Sequence, residues 1–138
     1  MIIGGDQAVK TPNLIKTGYI SDESLLAKYF SAADIFLFPS TADNCPLVVL
    51  EAMACGLPVV SFATGGIPEL VDHQKTGYIA RYKDADDLAN GVAWMLARTP
   101  AEHANMRESA VIKIRSGFTL DHMVEQYLQL YESMLKNS

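Results

Sequence analysis

Short apolar segments alternate along this chain with segments of helical pattern, and this alternation constrains the fold more than any other feature. Segments such as DIFLF and PVVSF are continuously apolar, as expected for strands of a parallel sheet that is covered on both faces. We therefore predict an α/β fold with a doubly wound, mostly parallel sheet and a C-terminal helical tail. The predicted strands are residues 14–20, 34–38, 58–62 and 78–80.

Residues with capping chemistry mark where the helices begin. Ser21 is the predicted N-cap of a helix over residues 22–31, and Pro46 fits the first position of a helix that reaches Ala54 or Cys55. The segment Thr99-Pro100-Ala101-Glu102 predicts a capping box at the start of a helix that ends near Gly117. The remaining predicted elements are a loop over residues 4–13, a helix from the cap Asp84 to about Ala97, and a final helix that Thr119 opens.

The composition is that of one ordinary domain. The chain has 138 residues and a formal net charge of −5, and this charge argues against broad nucleic-acid binding, which needs a basic surface. No apolar run approaches the ~20 residues of a membrane-spanning helix, and the first residues do not resemble a signal peptide. The two cysteines, Cys45 and Cys55, make no disulfide framework or metal motif and indicate a reducing cytoplasm. Ile2-Ile3 resembles the end of a strand, so we expect a fragment of something longer.

The stretch from Pro46 to Phe62 holds a single charged residue, Glu51, in an otherwise apolar sequence. A carboxylate buried in such surroundings is costly unless a donor hydrogen-bonds to it. The stretch begins at a helix N-terminus beyond the carboxyl end of a predicted strand, where open parallel sheets bind their ligands. The N–H groups of Leu47, Val48 and Val49 lack intrahelical partners there and can hold a phosphate.

Glu51 lies just over one turn into this helix, and its side chain leans toward the helix N-terminus. A ribose diol between the carboxylate and the phosphate would supply two hydrogen-bond donors. Asp43, on the preceding loop, could accept from a second hydroxylated group, so the pattern suits a ribose, a diphosphate and a sugar. Structural alternatives stay open: an arginine partner for Glu51, an Asx-turn at Asp43, and simple backbone packing for the turn Thr64-Gly65-Gly66.

Three segments carry a family resemblance: GYISDESLLAKYFSAADIFLFPS, FPSTADNCPLVVLEAMACGLPVVSFATGGIPELV and TGYIARYKDADDLANGVAWML. In this order they resemble the signature of retaining glycosyltransferases with the GT-B fold, of the family-4 type. The resemblance covers essentially the whole chain. It implies that residues 1–138 are a truncated C-terminal domain, the Rossmann-like half that binds the nucleotide-sugar donor, and that the acceptor-binding N-terminal domain is absent.

The resemblance also implies roles for individual residues. Glu51 matches the glutamate that holds the ribose hydroxyls, and Asp43 falls where the family has a glutamate that faces the donor sugar; these two are the predicted catalytic residues. The amides of Leu47 and Val48 would lie by the diphosphate. The other implied donor contacts are Gly4 and Gly5 in a glycine loop, Gly18, Tyr19 and Ile20 near the base, and Asn44, Cys45 and Pro46, which replace the commoner Gly-Phe-Gly near the sugar.

The implied activity of the parent protein is transfer of a sugar, with retention, from a UDP-, GDP- or ADP-sugar to a glycan or lipid-linked acceptor, without metal or cofactor. Nothing here matches the family's arginine and lysine that neutralise the leaving diphosphate, so we expect the chain alone to be inactive. The resemblance also implies a cytoplasmic protein whose parent associates peripherally with the inner membrane face. The alternatives are a non-catalytic nucleotide-sugar-binding or interaction module, and a GT-B epimerase or phosphorylase.

Overall fold

The computed structural model of the chain describes residues 1–136, except for the surroundings of Gly5 and Asp6. Over these residues the chain forms a two-stranded hairpin, a three-stranded parallel sheet and helices that pack around that sheet. The strands are β1 (Gly4–Thr11), β2 (Leu14–Gly18), β3 (Phe36–Phe38), β4 (Val59–Phe62) and β5 (Gly77–Ala80). The helices are α1 (Glu23–Ala32), α2 (Leu47–Ala54), α3 (Ile67–Leu70), α4 (Ala85–Leu96), α5 (Pro100–Gly117) and α6 (Leu120–Lys136).

The parallel sheet has the order β3-β4-β5, with every residue of the central strand β4 buried. Successive side chains of a strand point to opposite faces, and the two valines of β4 show what covers each face. Val59 packs with Met53 of α2 and Ala110 of α5. Val60 packs with Met95 of α4. Helices therefore cover both faces, which confirms the predicted α/β class with its parallel sheet and its helical tail.

The prediction of a loop over residues 4–13 is wrong, because β1 runs through it and pairs antiparallel with β2. The two strands turn at Pro12 and Asn13, residues that suit a tight turn. Val9 and Ile15 are each 43% exposed, so backbone pairing rather than burial holds this hairpin. The sequence of the hairpin therefore shows no alternation of apolar residues that would predict it. The predicted strand 14–20 exists as β2, but it ends at Gly18 and lies in the hairpin instead of the parallel sheet.

The chemistry at the helix starts agrees with expectation, with two shifts of one residue. The N-cap of α1 is Asp22 rather than Ser21, since its Oδ1 accepts from the N–H groups of Ser24 (2.9 Å) and Leu25 (3.2 Å), and a carboxylate suits the positive end of the helix dipole. Pro46 caps α2 with an extended ψ of 94° instead of occupying its first turn. The Thr99–Glu102 capping box and the Asp84 cap are confirmed.

The last helix, α6, forms as predicted, but it has no buried residue among positions 120–136. Its apolar side chains share one broad face, and Tyr127 and Tyr131 lie side by side on it with ring centroids 6.2 Å apart. Such a face on an otherwise polar helix is an exposed apolar patch. Within residues 1–136, no helix combines the length and the apolar character needed to cross a membrane. The exposed apolar residues of α6 are Leu120, Met123, Val124, Tyr127, Leu128, Leu130, Tyr131, Met134 and Leu135.

Candidate functional site

The candidate site lies where the chain leaves the carboxyl end of β3 and enters α2. Residues 39–45 form the connection, which we call the donor loop, and Pro46 joins it to the helix. The carboxyl edge of a parallel sheet is the usual place for a ligand, because the connecting loops converge there with the helix N-termini. The fold therefore puts Asp43 just ahead of the first free amides of α2, as the sequence predicts.

The donor loop rests directly on the turn Gly65-Gly66. A methyl group on Gly65 would lie 1.8 Å from the carbonyl oxygen of Asp43, and one on Gly66 would lie 2.4 Å from that of Asn44. No side chain fits at such distances. Close backbone packing is therefore what this glycine pair provides, as the structural alternative for this turn predicts.

Two further contacts fix the chain around the loop. The buried Ser61 of β4 donates from its hydroxyl to the carbonyl of Phe38 (2.8 Å), at the point where β3 ends. The hydroxyl of Tyr82, beyond the end of β5, donates to the carbonyl of Thr41 (3.0 Å). Neither residue was expected here from the sequence, and Tyr82 stands so far from Thr41 along the chain that no local pattern could have indicated the contact.

The N-terminus of α2 presents two free amides. Among the described residues, the N–H groups of Leu47 and Val48 have no hydrogen-bond acceptor, whereas that of Val49 donates to the carbonyl of Pro46 (2.9 Å). The expectation that Val49 is also free is thus wrong, because the first turn tightens onto its cap. Leu47 is 65% exposed. Two adjacent amide donors at the positive end of a helix can together bind an anionic oxygen.

Asp43 is half-buried, and its Oδ1 accepts the N–H of Cys45 at 3.2 Å. This is the Asx-turn that the sequence left open as an alternative. The bond engages one carboxylate oxygen and orients the group, and Oδ2 has no partner among the residues described. Asn44 and Cys45 are exposed beside it, and Pro46 is buried. The turn and a ligand role for the second oxygen are therefore compatible.

Glu51 is exposed, so its apolar sequence neighbours do not bury it. Those neighbours, such as Ala52 and Met53, face the core on the opposite side of α2. Within the part of the chain that the structure describes, Glu51 has no hydrogen bond or ion pair, and an arginine partner is absent. Glu51 lines a cleft of about 390 Å³ between α1 and α2, together with Glu23 and Leu26. Because its carboxylate stays in contact with water, it avoids the desolvation cost of a buried charge and can accept hydrogen bonds from a ligand.

The N-terminal residues implied as donor contacts meet in the hairpin. Gly4 opens β1 with φ 97° and pairs with Gly18, which ends β2 with φ 72° and is buried. Gly4 is thus a strand residue instead of part of a glycine loop, while the surroundings of its neighbour Gly5 lie outside what is described. Tyr19 follows at 85% exposure and Ile20 is half-buried. The structure brings Gly4 and Gly18 together.

Several electrostatically perturbed groups lie together at the end of β5 and the start of α4. The pKa of Asp87 is lowered, first by the backbone N–H of Arg81 (2.8 Å) and then by the hydroxyl of Tyr78 (3.0 Å). These bonds tie β5 to α4 and serve the fold. Within the described residues, no cluster of three histidine, cysteine or acidic side chains could hold a metal ion. That the site works without a metal stays a prediction.

Comparison with known proteins shows which family the chain is similar to. The family model described as "Glycosyl transferases group 1" matches residues 1–98. N-acetyl-alpha-D-glucosaminyl L-malate synthase of Bacillus anthracis is 33% identical over 131 residues, which are 90% of this chain and 34% of that protein. D-inositol 3-phosphate glycosyltransferase of Mycobacterium avium is 35% identical over 111 residues, 80% of this chain and 26% of that protein. The chain thus spans about a quarter to a third of the length of these relatives.

Solved structures show the same fold. Sucrose-phosphate synthase from Thermosynechococcus elongatus superposes with a TM-score of 0.77 at 34% identity, over 89% of this chain and 30% of that one. HepE from Anabaena, solved in complex with UDP-glucose, superposes with a TM-score of 0.73 at 27% identity, over 86% of this chain and 32% of that one. The GT-B glycosyltransferase fold expected from the sequence is confirmed.

Proposed function

The chain belongs to the group 1 glycosyl transferase family, and from this premise we propose that it forms the nucleotide-sugar donor site of a glycosyltransferase. In this proposal residues 1–138 are the truncated C-terminal domain of a two-domain enzyme. The Anabaena relative solved with UDP-glucose supports a nucleotide-sugar as the ligand class.

One observation carries the proposal: along the chain, the adjacent free amides of Leu47 and Val48 stand between Asp43, which has a free carboxylate oxygen, and Glu51, which is exposed. The amides suit the diphosphate because they donate at the positive end of α2. A carboxylate would repel a phosphate at close range, so each is expected to meet hydroxyl groups on either side of it. Glu51 is the proposed acceptor for the ribose diol, and the free oxygen of Asp43 is the proposed acceptor for the sugar.

We propose that the base lies by the segment Gly18–Ile20, which leads from the last residue of β2 toward α1. Tyr19 offers an unburied aromatic ring there, and a ring of this kind suits stacking with a nucleobase. The donor is a UDP-, GDP- or ADP-sugar. UDP-glucose is the first donor to test because the Anabaena relative was solved with it.

For the whole protein we propose transfer with retention at the anomeric carbon to a glycan or lipid-linked acceptor, without a metal. The leaving phosphate would assist the incoming hydroxyl, and basic residues outside this chain would neutralise it. We propose a cytoplasmic setting, with the parent at the inner membrane face by peripheral association. The free thiols of Cys45 and Cys55 are consistent with a reducing compartment.

The test is a titration of the chain with UDP, GDP, ADP and UDP-glucose, in which amide NMR and calorimetry measure binding. Binding should shift the amides of Leu47 and Val48, and Glu51→Ala should weaken it by about 1.5–3 kcal/mol, the worth of a charged hydrogen bond. Alanine is the best helix former, so α2 should persist in this variant. The matched control is Glu108→Ala, which removes another exposed helical glutamate, on α5 and away from the site.

Three results would count against the proposal. If no nucleotide or nucleotide-sugar shifts the two amides, the donor site is not here, and an interaction module becomes the better reading. If Glu51→Ala and Glu108→Ala weaken binding equally, Glu51 does not contact the ribose. If Glu51→Ala unfolds the chain, the carboxylate is structural.

A further inference from the structure

The donor loop is tied to the rest of the fold by one distant side chain. Among the described residues, Tyr82 is the one side chain outside positions 39–45 that hydrogen-bonds to this loop, through its hydroxyl and the carbonyl of Thr41 (3.0 Å). Packing on Gly65-Gly66 limits how closely the loop can approach the sheet. The hydrogen bond limits how far the loop can move away from Tyr82, so packing and hydrogen bonding both restrict the loop.

The turn that carries Tyr82 is itself held in place. It spans Arg81 to Asp84, closed by the N–H of Asp84 on the carbonyl of Arg81 (3.1 Å). The guanidinium of Arg81 pairs with Asp84 (2.9 Å) and with Asp87 (3.2 Å) at the start of α4. These bonds connect the turn to β5 on one side and to α4 on the other, so Tyr82 projects from a fixed base.

Two further features concentrate on this turn. Lys83 adopts φ 59°, a left-handed conformation that disfavours a residue with a side chain. Its ammonium lies 5.0 Å from the centroid of the Tyr82 ring, within the range of a cation–π contact. Unfavourable backbone conformations persist where the surrounding structure over-determines them. The residue with the unfavourable backbone conformation, Lys83, is thus the direct neighbour of Tyr82, which hydrogen-bonds to the loop.

We propose that Tyr82 is a positioning residue for the sugar end of the donor site, acting through Thr41 on Asp43. This inference rests on the proposed function. Thr41 lies on the same short loop as Asp43, so release of its carbonyl lets the carboxylate drift relative to the amides of α2. Catalytic and binding groups lose effectiveness with displacements of about 1 Å. The amides and Glu51 lie on α2 itself, so the nucleotide end of the site does not depend on Tyr82.

The test compares Tyr82→Phe with Tyr78→Phe. Both variants lose one tyrosine hydroxyl bond of 3.0 Å near the end of β5, but the hydroxyl of Tyr78 goes to Asp87 and not to the loop. Tyr82 is 50% exposed, so the phenylalanine variant should fold. The first measurement is the backbone order parameter of residues 40–45, which should fall below about 0.6, the flexible range, in Tyr82→Phe only.

The second measurement is the ratio of the affinities for UDP-glucose and UDP. Tyr82→Phe should weaken UDP-glucose about 2- to 10-fold, the worth of one neutral hydrogen bond, and leave UDP unchanged. Tyr78→Phe should change neither affinity. A variant that merely destabilised the fold would weaken both ligands together, so the ratio separates positioning of the sugar from a general structural role.

The outcomes distinguish this inference from the function on which it rests. If the wild-type chain binds both ligands and Tyr82→Phe keeps the same ratio and the same loop order, the positioning role is overturned and the proposed function stands. Equal loss of loop order in Tyr78→Phe would also overturn it. If the wild-type chain binds neither ligand, the proposed function fails, and the positioning role of Tyr82 at the nucleotide-sugar site fails with it.

Discussion

The α-carbon of Gly65 faces the carbonyl oxygen of Asp43 so closely that a methyl group there would lie 1.8 Å from that oxygen. Gly65 also has φ 47°, in the left-handed region that favours glycine. The close approach of the donor loop to this turn thus requires a glycine at position 65, without any side-chain contact between them.

We expect Gly65→Ala to lower the free energy of unfolding by about 2–4 kcal/mol, from overpacking and the left-handed conformation together. The matched control is Gly117→Ala at the end of α5, where a methyl group would meet nothing within 4 Å. That variant should raise stability by up to about 1 kcal/mol, because alanine is the better helix former. Urea denaturation measures both, and a neutral Gly65→Ala would mean that the loop can move away freely.

Arg107 of α5 holds the end of α1 by donating to the carbonyls of Ala33 (2.9 Å) and Ser31 (3.0 Å). We expect Arg107→Met to lower the free energy of unfolding by about 1.5–3 kcal/mol, the range for a charged hydrogen bond. Arg107→Lys should recover little, since a single ammonium cannot reproduce the fork that meets two carbonyls. Arg115→Met, at an exposed position of the same helix, is the control and should change stability by less than about 0.5 kcal/mol. Full recovery with lysine would show that charge alone matters.

The carboxylate of Asp87 should make stability depend on acid pH. Its folded-state pKa is lowered by the Arg81 backbone N–H and the Tyr78 hydroxyl. A depressed pKa stabilises the fold above the ordinary aspartate pKa, about 3.9, and this stabilisation is lost as the pH falls through the lower folded value. Thermal melts of Asp87→Asn from pH 6 downward to about 2 should therefore show a shallower loss than wild type. Asp86→Asn, on the same first turn of α4, should follow the wild-type curve.

The exposed face of α6 should contribute little to the stability of this chain. Leu135 is 79% exposed, whereas Met95 of α4 is fully buried. Leu135→Gln should change the free energy of unfolding by less than about 0.5 kcal/mol. Met95→Ala should lower it by about 2–5 kcal/mol through the cavity it leaves. A cost above 1.5 kcal/mol for Leu135→Gln at low protein concentration would show that α6 packs within the chain.

Much of the fold could be predicted from local sequence. The capping box at Thr99 and Glu102 joins groups three positions apart, and the Asp84 cap is equally local. The strands Phe36–Phe38 and Val59–Phe62 indicate a sheet covered on both faces because apolar side chains point to both sides of each strand. The placement of Leu47 and Val48 at a helix N-terminus follows from the same kind of evidence.

Three features depend on the tertiary structure and not on local sequence. They are the exposure of Glu51, the hairpin of β1 with β2, and the hydrogen bond from Tyr82 to Thr41. Glu51 is exposed because the apolar face of α2 turns to the core and leaves its other face outward. The hairpin is held by backbone bonds that any residues could make, so its composition carries no signal.

The sequence alone thus determined the helices of this protein and the strands of its parallel sheet, because those preferences act within a turn or two of the chain. The tertiary structure alone decided what surrounds the donor loop. Gly65 and Tyr82 meet this loop because β3, β4 and β5 lie side by side in one sheet, which brings the connections that follow these strands together. Contacts between residues so distant along the chain depend on the arrangement of all the elements between them, and no local preference encodes that arrangement.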